Sequence, residues 1–289
     1  MNVPNPLPIA DVVAAFHEHV VDPTPLGEGG MKSAFLIRAE EPLVLKVVRE
    51  PVQEDPLEGS IGLPERIRRE IEGMRAISHP GVVRIVAGPG IREIGDEQHV
   101  WYIEPFFAGG SLADRLDGPW PEADCAHLLR GLVDAAEALA RHNTVHRDIK
   151  PSNIVFDASK RPVLLDLGIA YFQDLTPLTD SWGSSPRTPM YAAPEQFEMR
   201  LHSSIDFRTD LFLIGLVIFE SLTGVHPFNP GDPHGYYDRL KNCQWNDGAL
   251  DAVHVSGHMR HVLRRLLDPS MSRRYRRFEH LRSEIETLG

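Results

Sequence analysis

The chain has 289 residues, 42% of them hydrophobic, and a formal net charge of -11 at pH 7. The apolar fraction is ordinary for a globular protein and excludes wholesale disorder, while the length suits two lobes better than one compact core. The acidic balance argues against nucleic-acid binding by general basic attraction, and no run of about 18 uninterrupted apolar residues offers a membrane span.

Only two cysteines occur, Cys125 and Cys243. They form no metal-binding spacing and read as free thiols in a reducing compartment. The first eight residues are proline-rich and lack the basic start and apolar centre of a secretion signal. A cytoplasmic location is therefore expected.

Taken in chain order, Ile9, Val12, Val13 and Phe16 recur at helical spacing, which predicts a short amphipathic helix within residues 9–20. From Leu26 to Val48, short apolar runs around a glycine turn predict antiparallel strands. Residues 49–64 hold Pro51, Pro56, Gly59, Gly62 and Pro64 among acidic residues and read as a loop. A helix is predicted over 64–78, with Pro64 in its first turn. A strand over 99–107 leads to Gly109 and Gly110, which read as a hinge. Helix then dominates. Residues 122–142 carry Leu128, Leu129, Leu132, Val133, Ala136 and Leu139 on one face. Residues 208–222 are apolar nearly all round, the mark of a buried central strut. Further helices are expected over 258–267 and 278–288.

Two short segments carry the chemistry: His-Arg-Asp-Ile-Lys-Pro-Ser-Asn at 146–153 and Asp-Leu-Gly at 166–168. Upstream, Leu26, Gly27, Gly29 and Gly30 form a glycine-rich turn whose backbone amides suit phosphate oxygens. Lys46 lies in an otherwise apolar strand, and lysine is rarely buried without a partner. In the 64–78 helix, Glu70 falls on the inward side between Ile67 and Met74, so it needs a cation. Lys46 is the natural one. Downstream come Thr188 and Ala-Pro-Glu at 193–195.

In this order the motifs resemble those of the eukaryotic-type serine/threonine protein kinases, over about residues 20–285. The segment from Thr188 to Glu195 looks most like the bacterial branch. The resemblance implies an α+β, two-lobed fold, with a small antiparallel-sheet lobe containing one key helix and a larger, mainly helical lobe. Its implied organisation is an N-terminal extension (1–19), a small lobe (20–108) and a large lobe (109–289), with ATP and Mg2+ between the lobes and Mn2+ as a substitute.

The resemblance also implies roles. Asp148 would be the catalytic base, and Lys150 would neutralise charge on the transferred phosphoryl group. Asn153 and Asp166 would be magnesium ligands and contacts to the nucleotide. Lys46, held by Glu70, would grip the α and β phosphates beneath Leu26, Gly27, Gly29 and Gly30. His146 reads as a scaffold residue. Arg147 would receive a phosphate on the activation segment, where Thr176, Thr179, Ser181, Ser184 and Ser185 are candidate acceptors, and Thr188 would contact the substrate loop. Glu195 should pair with Arg273 or Arg274, and Asp210 should accept backbone hydrogen bonds from the catalytic loop, beside a plain helix-dipole role.

The implied partners are a protein substrate and a transient homodimer for trans-autophosphorylation, with no nucleic acid and no membrane segment. Three departures stand out. Lys32 occupies the place of the third glycine, Arg187 replaces a glycine before Thr188, and either Glu104 or Pro105 takes the place of the hinge acid. They keep two alternatives open: a catalytically silent nucleotide-binding scaffold, and a small-molecule kinase of the aminoglycoside type.

Overall fold

The computed structural model describes residues 5–28, 32–52, 75, 77–166, 188–197, 205–228 and 235–288. They fall into two compact units, one within Met1–Ser78 and Val83–Phe106, the other within His79–Val82 and Phe107–Gly289.

The first unit is built on a five-stranded antiparallel sheet of β1 (Val21–Glu28), β2 (Lys32–Ile37), β3 (Leu43–Val48), β4 (Ala87–Ile94) and β5 (Glu97–Pro105), in the order β1-β2-β3-β5-β4. Alternation along the strands separates two faces. Phe35, Leu45 and Ile103 stand opposite one another across β2, β3 and β5. With Ile37, Val47, Val21 and Ile94 they form an apolar core.

Helix α1 (Ile9–Ala15) covers that core with Val12, and Phe16 at its end joins it. The helix stops well before residue 20, because Val20 is 64% exposed and a further turn would bury nothing apolar. Arg92 of β4 fixes the end of the helix. Its guanidinium donates to the Ala15 carbonyl at 2.9 Å and lies over the rings of Phe16 and Trp101.

Strand β4 was not anticipated. Its sequence opens Ala-Gly-Pro-Gly, which reads as a turn, yet β4 is an edge strand with a register shift between Ala87 and Gly90. Edges and bulges are where a strand tolerates proline. Gly90 packs its backbone against Trp101; a Cβ there would meet the indole nitrogen at 2.7 Å.

The second unit is mainly helical. Its long helices are α2 (Glu122–Arg141) and α4 (Phe207–Thr223), followed by α5 (Gly235–Lys241), α6 (Asp247–Ala252), α7 (Gly257–Leu266) and α8 (Phe278–Ile285); α3 is a single turn, Pro194–Phe197. As the sequence pattern requires, α4 is buried on nearly all sides, from Leu211 through Phe219. The Asp206 side chain caps it by accepting the Arg208 N–H at 2.9 Å. Gly224 ends it at φ +72°, a conformation that favours glycine. A two-stranded ribbon, β6 (Ile154–Phe156) with β7 (Pro162–Leu164), packs on α2.

The contact between α2 and the ribbon gives a test. An ideal Cβ at Gly131 would lie 2.4 Å from Cγ and 2.7 Å from Cδ of Pro162. Helix propensity alone favours alanine over glycine by about 1 kcal/mol. Gly131→Ala should nevertheless be destabilising by about 1–3 kcal/mol, because the proline ring has no rotamer to yield. The urea midpoint should drop with an unchanged slope; a midpoint that rises would show that the ribbon moves freely.

Candidate active site

The catalytic-loop candidate begins where α2 ends. Asp210, in the first turn of α4, accepts the N–H of His146 at 2.8 Å on one carboxylate oxygen and that of Arg147 at 2.9 Å on the other. Burial pushes the Asp210 carboxyl up to about 7, against the pull of these two donors and of the Arg147 charge.

Arg147 sits at φ +65°, which a side chain with a Cβ adopts at a cost of about 1–2 kcal/mol. A second support holds it there: the Gln196 amide donates to the Arg147 carbonyl at 2.9 Å, while its oxygen accepts the Ala193 N–H at 2.8 Å. Among the described residues, the Arg147 Nε is buried without a hydrogen-bond partner.

His146 is fully buried, and loss of solvent holds its imidazole below the ordinary range. Its Nε2 lies 2.9 Å from the Leu165 carbonyl, which can only accept, so that nitrogen carries the proton. Its Nδ1 then accepts the Asp148 N–H at 3.3 Å. The ring is therefore a strut between the residue preceding Asp166 and the backbone of Asp148. The expected scaffold role fits this geometry.

Asp148, Lys150 and Asn153 form one hydrogen-bonded group. The Lys150 ammonium donates to both carboxylate oxygens of Asp148, at 2.9 and 2.8 Å. Asn153 Nδ2 donates to the Asp148 carbonyl at 2.9 Å and to its carboxylate at 2.8 Å. Pro151 opens the short 3-10 turn Pro151–Asn153 that sets this spacing. The Leu165 N–H then bonds the Asn153 carbonyl at 2.8 Å, bringing the backbone before Asp166 alongside. Asp166 itself stands at φ +51°.

In the first unit, Lys46 and Glu104 are both buried and form an ion pair at 3.6 Å. Lys32 lies with its ammonium 5.5 Å above the Tyr102 ring. Leu26 is 46% exposed, and Gly27 has open space where a Cβ would stand. Gly29, Gly30, Glu70, most of the 64–78 helix, Arg187 and the five candidate phosphoacceptors lie outside the described residues. The backbone of Thr188 opens a 3-10 turn, Thr188–Tyr191.

The Ala-Pro-Glu segment finds its arginine in Arg274, which donates to Glu195 at 2.7 and 3.0 Å. Arg273 is exposed, whereas Arg274 is buried over Phe212 and also donates to the Asp268 carbonyl. The Thr209 hydroxyl adds a third donor to Glu195 at 2.7 Å. Sequence reasoning missed the supports on either side. Gln196 had only its place after Ala-Pro-Glu to mark it. Tyr191, which bonds the half-buried Glu220 carboxylate on α4, is an unremarkable aromatic in the sequence.

The sequence pattern described as the protein kinase domain matches residues 21–284. The chain belongs to the protein kinase family. It is similar to serine/threonine-protein kinase pkn2 of Myxococcus xanthus, 34% identical over 218 residues that cover 73% of this chain and 25% of that protein. PknB of Mycobacterium leprae is 30% identical over 243 residues, 79% of this chain and 38% of its own length. Human serine/threonine-protein kinase 16 is 32% identical over 179 residues, 57% and 58% of the two chains. The expected eukaryotic-type serine/threonine branch with bacterial relatives is borne out. The chain thus spans from a quarter to under three fifths of the length of these curated relatives.

Among solved structures, Rad53 residues 1–466 in complex with AMP-PNP shares the fold. The TM-score is 0.68 at 21% identity, over 90% of this chain and 62% of that one. The expected α+β kinase-like fold is therefore correct. Among the described residues, no helix is long and apolar enough to cross a membrane.

Two outcomes follow for stability. Arg274→Met should cost about 3–5 kcal/mol, since it removes the cationic partner of the buried Glu195 carboxylate. Adding Glu195→Gln should recover part of that loss in urea unfolding; no recovery would show that Arg274 acts through packing alone. The second concerns His226, whose pKa burial lowers from 6.5 to about 4. The unfolded chain binds a proton on this ring that the fold excludes, so its contribution is present above pH 6.5 and is lost as pH falls toward 4. The loss should be on the order of 3 kcal/mol. Wild-type protein should therefore lose more stability than His226→Phe between pH 7 and 4; parallel curves would remove His226 from the account.

Proposed function

We propose that this chain is an ATP-dependent serine/threonine protein kinase that transfers the γ-phosphoryl group to hydroxyls of protein substrates, including its own activation segment within a transient homodimer. The observation that carries the reading is the group formed by Asp148, Lys150 and Asn153 on a loop suspended from Asp210. A carboxylate, an ammonium and an amide within hydrogen-bond reach of one another match what phosphoryl transfer asks of a protein: positioning and electrostatic stabilisation.

The roles follow from the donors. Asp148 orients the acceptor hydroxyl and takes its proton as the oxygen bonds to the γ-phosphorus and the bond to the β-γ bridging oxygen breaks, releasing ADP. Lys150 stands beside Asp148 and offsets charge on the moving phosphoryl group. Lys46, with Glu70 as the expected partner on the 64–78 helix, contacts the α and β phosphates. Leu26, Gly27, Gly29 and Gly30 cover the nucleotide.

The residues present fit magnesium. Because Asn153 donates its amide nitrogen to Asp148, its Oδ1 would remain for the cation, and Asp166 would add a carboxylate. Two protein oxygens suit an ion taken up together with substrate phosphates. Mn2+ accepts the same hard donors. When bound, the ion draws charge from the phosphate oxygens.

Arg147 is a half-buried cation whose buried Nε lacks a hydrogen-bond partner among the described residues, and partial burial lowers its pKa. A phosphate on the activation segment would satisfy it. Thr188 then contributes to the substrate loop. Both units belong to one kinase domain, preceded by the 1–19 extension, in a cytoplasmic setting.

The test is transfer of radiolabel from [γ-32P]ATP, with Mg2+, to a generic basic protein and to a panel of small alcohols. Asp148→Asn should lower the rate on protein by about 10²–10⁴, with label on serine and threonine. Equal rates for wild type and variant would overturn the catalytic assignment and leave a binding scaffold. Label confined to small alcohols would overturn the protein-substrate assignment.

A further inference from the structure

The sequence leaves the place of the hinge acid open between Glu104 and Pro105. The structure places Glu104 inside β5, one residue before the strand ends at Pro105. Across the β3–β5 pairing Val44 faces Glu104 and Lys46 faces Tyr102. Side chains two residues apart on one strand share a face, so Lys46 and Glu104 are diagonal neighbours. Their charged atoms lie 3.6 Å apart, with side-chain exposures of only 9% and 2%.

The same face carries a second cation. Lys32 pairs with Val48 across β2–β3, in step with Lys46, and its ammonium stands over Tyr102. Glu104 thus sets a negative charge beside Lys46 on a face that also bears Lys32. Holding a carboxylate there for stability alone makes poor sense, since apolar residues of similar volume often replace a buried ion pair without loss.

We propose that Glu104 is a positioning residue for Lys46: a carboxylate carried by the sheet itself, which orients the ammonium for the nucleotide phosphates independently of Glu70. The proposal rests on the kinase reading above. A partner supplied by the neighbouring strand is fixed by backbone register, whereas one supplied by a helix depends on where that helix sits. Lys46 is thereby oriented by the sheet itself, and Glu70 is expected as a second support.

Calorimetric binding of Mg-ATP and of adenosine, with the full chain, separates the possibilities. Glu104→Gln keeps the shape and removes the charge. It should weaken Mg-ATP about tenfold while leaving adenosine, which has no phosphate for Lys46 to contact, within about twofold. On a Lys46→Met background the same substitution should have no further effect on Mg-ATP. Glu70→Gln should weaken Mg-ATP less than Glu104→Gln does, and the double variant should be weaker than either.

Should the amide variant fail to fold, Glu104→Met fills a similar volume without charge and carries the same expectations. Unchanged Mg-ATP affinity in Glu104→Gln would overturn the proposal, as would equal losses for ATP and adenosine or an undiminished loss in the Lys46→Met background. Wild-type protein that binds no Mg-ATP would overturn the kinase reading itself, and this proposal with it.

Discussion

The loop that bears Asp148, Lys150 and Asn153 hangs from one carboxylate. Asp210 accepts two consecutive backbone N–H groups, one on each oxygen. Arg147, the second of the two donors, stands at φ +65°, so the chain turns sharply directly after the anchored N–H groups and toward Asp148. Without the carboxylate those two N–H groups lose their shared acceptor, and the relation of Asp148 to the helix is lost. Asp210 in turn is tolerable in a buried position because it satisfies both oxygens and sits at the positive end of α4.

The same turn of α4 holds a second segment. Thr209, next to Asp210, donates to Glu195, whose remaining valence is filled by Arg274. Gln196, next to Glu195, reaches the Arg147 carbonyl. Two adjacent residues of one helix thus fix the 146–153 loop and the Ala-Pro-Glu turn, and Gln196 ties those two to each other. This closed arrangement explains why α4 is apolar on nearly every side: a rigid, fully packed strut is what makes its two polar residues usable as reference points.

Legibility in the sequence followed the range of the interaction. The long helices and the 146–153 loop could be read because their signals are local: a 3.6-residue period, a proline at a turn, donors spaced two to five residues apart. Strand β4 could not, because its Gly-Pro-Gly opening is tolerated only at a sheet edge, and edge position is a property of the assembled sheet. Helices α5 and α6 span seven and six residues, too short for a period to declare itself. Arg273 and Arg274 differ by one position, and only burial separates them. For Glu104 the missing quantity was strand register. Sequence placed the acid near the hinge, but its nearness to Lys46 depends on which residue of β5 faces which residue of β3.

The charged face of the small sheet also depends on how the other face is covered. Odd-numbered residues of β3, Leu45 and Val47, pack with Phe35, Ile37 and Ile103 under Val12 and Phe16. An antiparallel sheet can leave one face polar when the other is buried. In the first unit α1 helps to supply that burial, although the family pattern begins only at residue 21. Arg92 spans the join, holding the last helical carbonyl and both aromatic rings at once. The residues before the family match are thus part of the core on which β3 rests. They help fix the register of β3 and β5, and the approach of Lys46 to Glu104 is a consequence of that register.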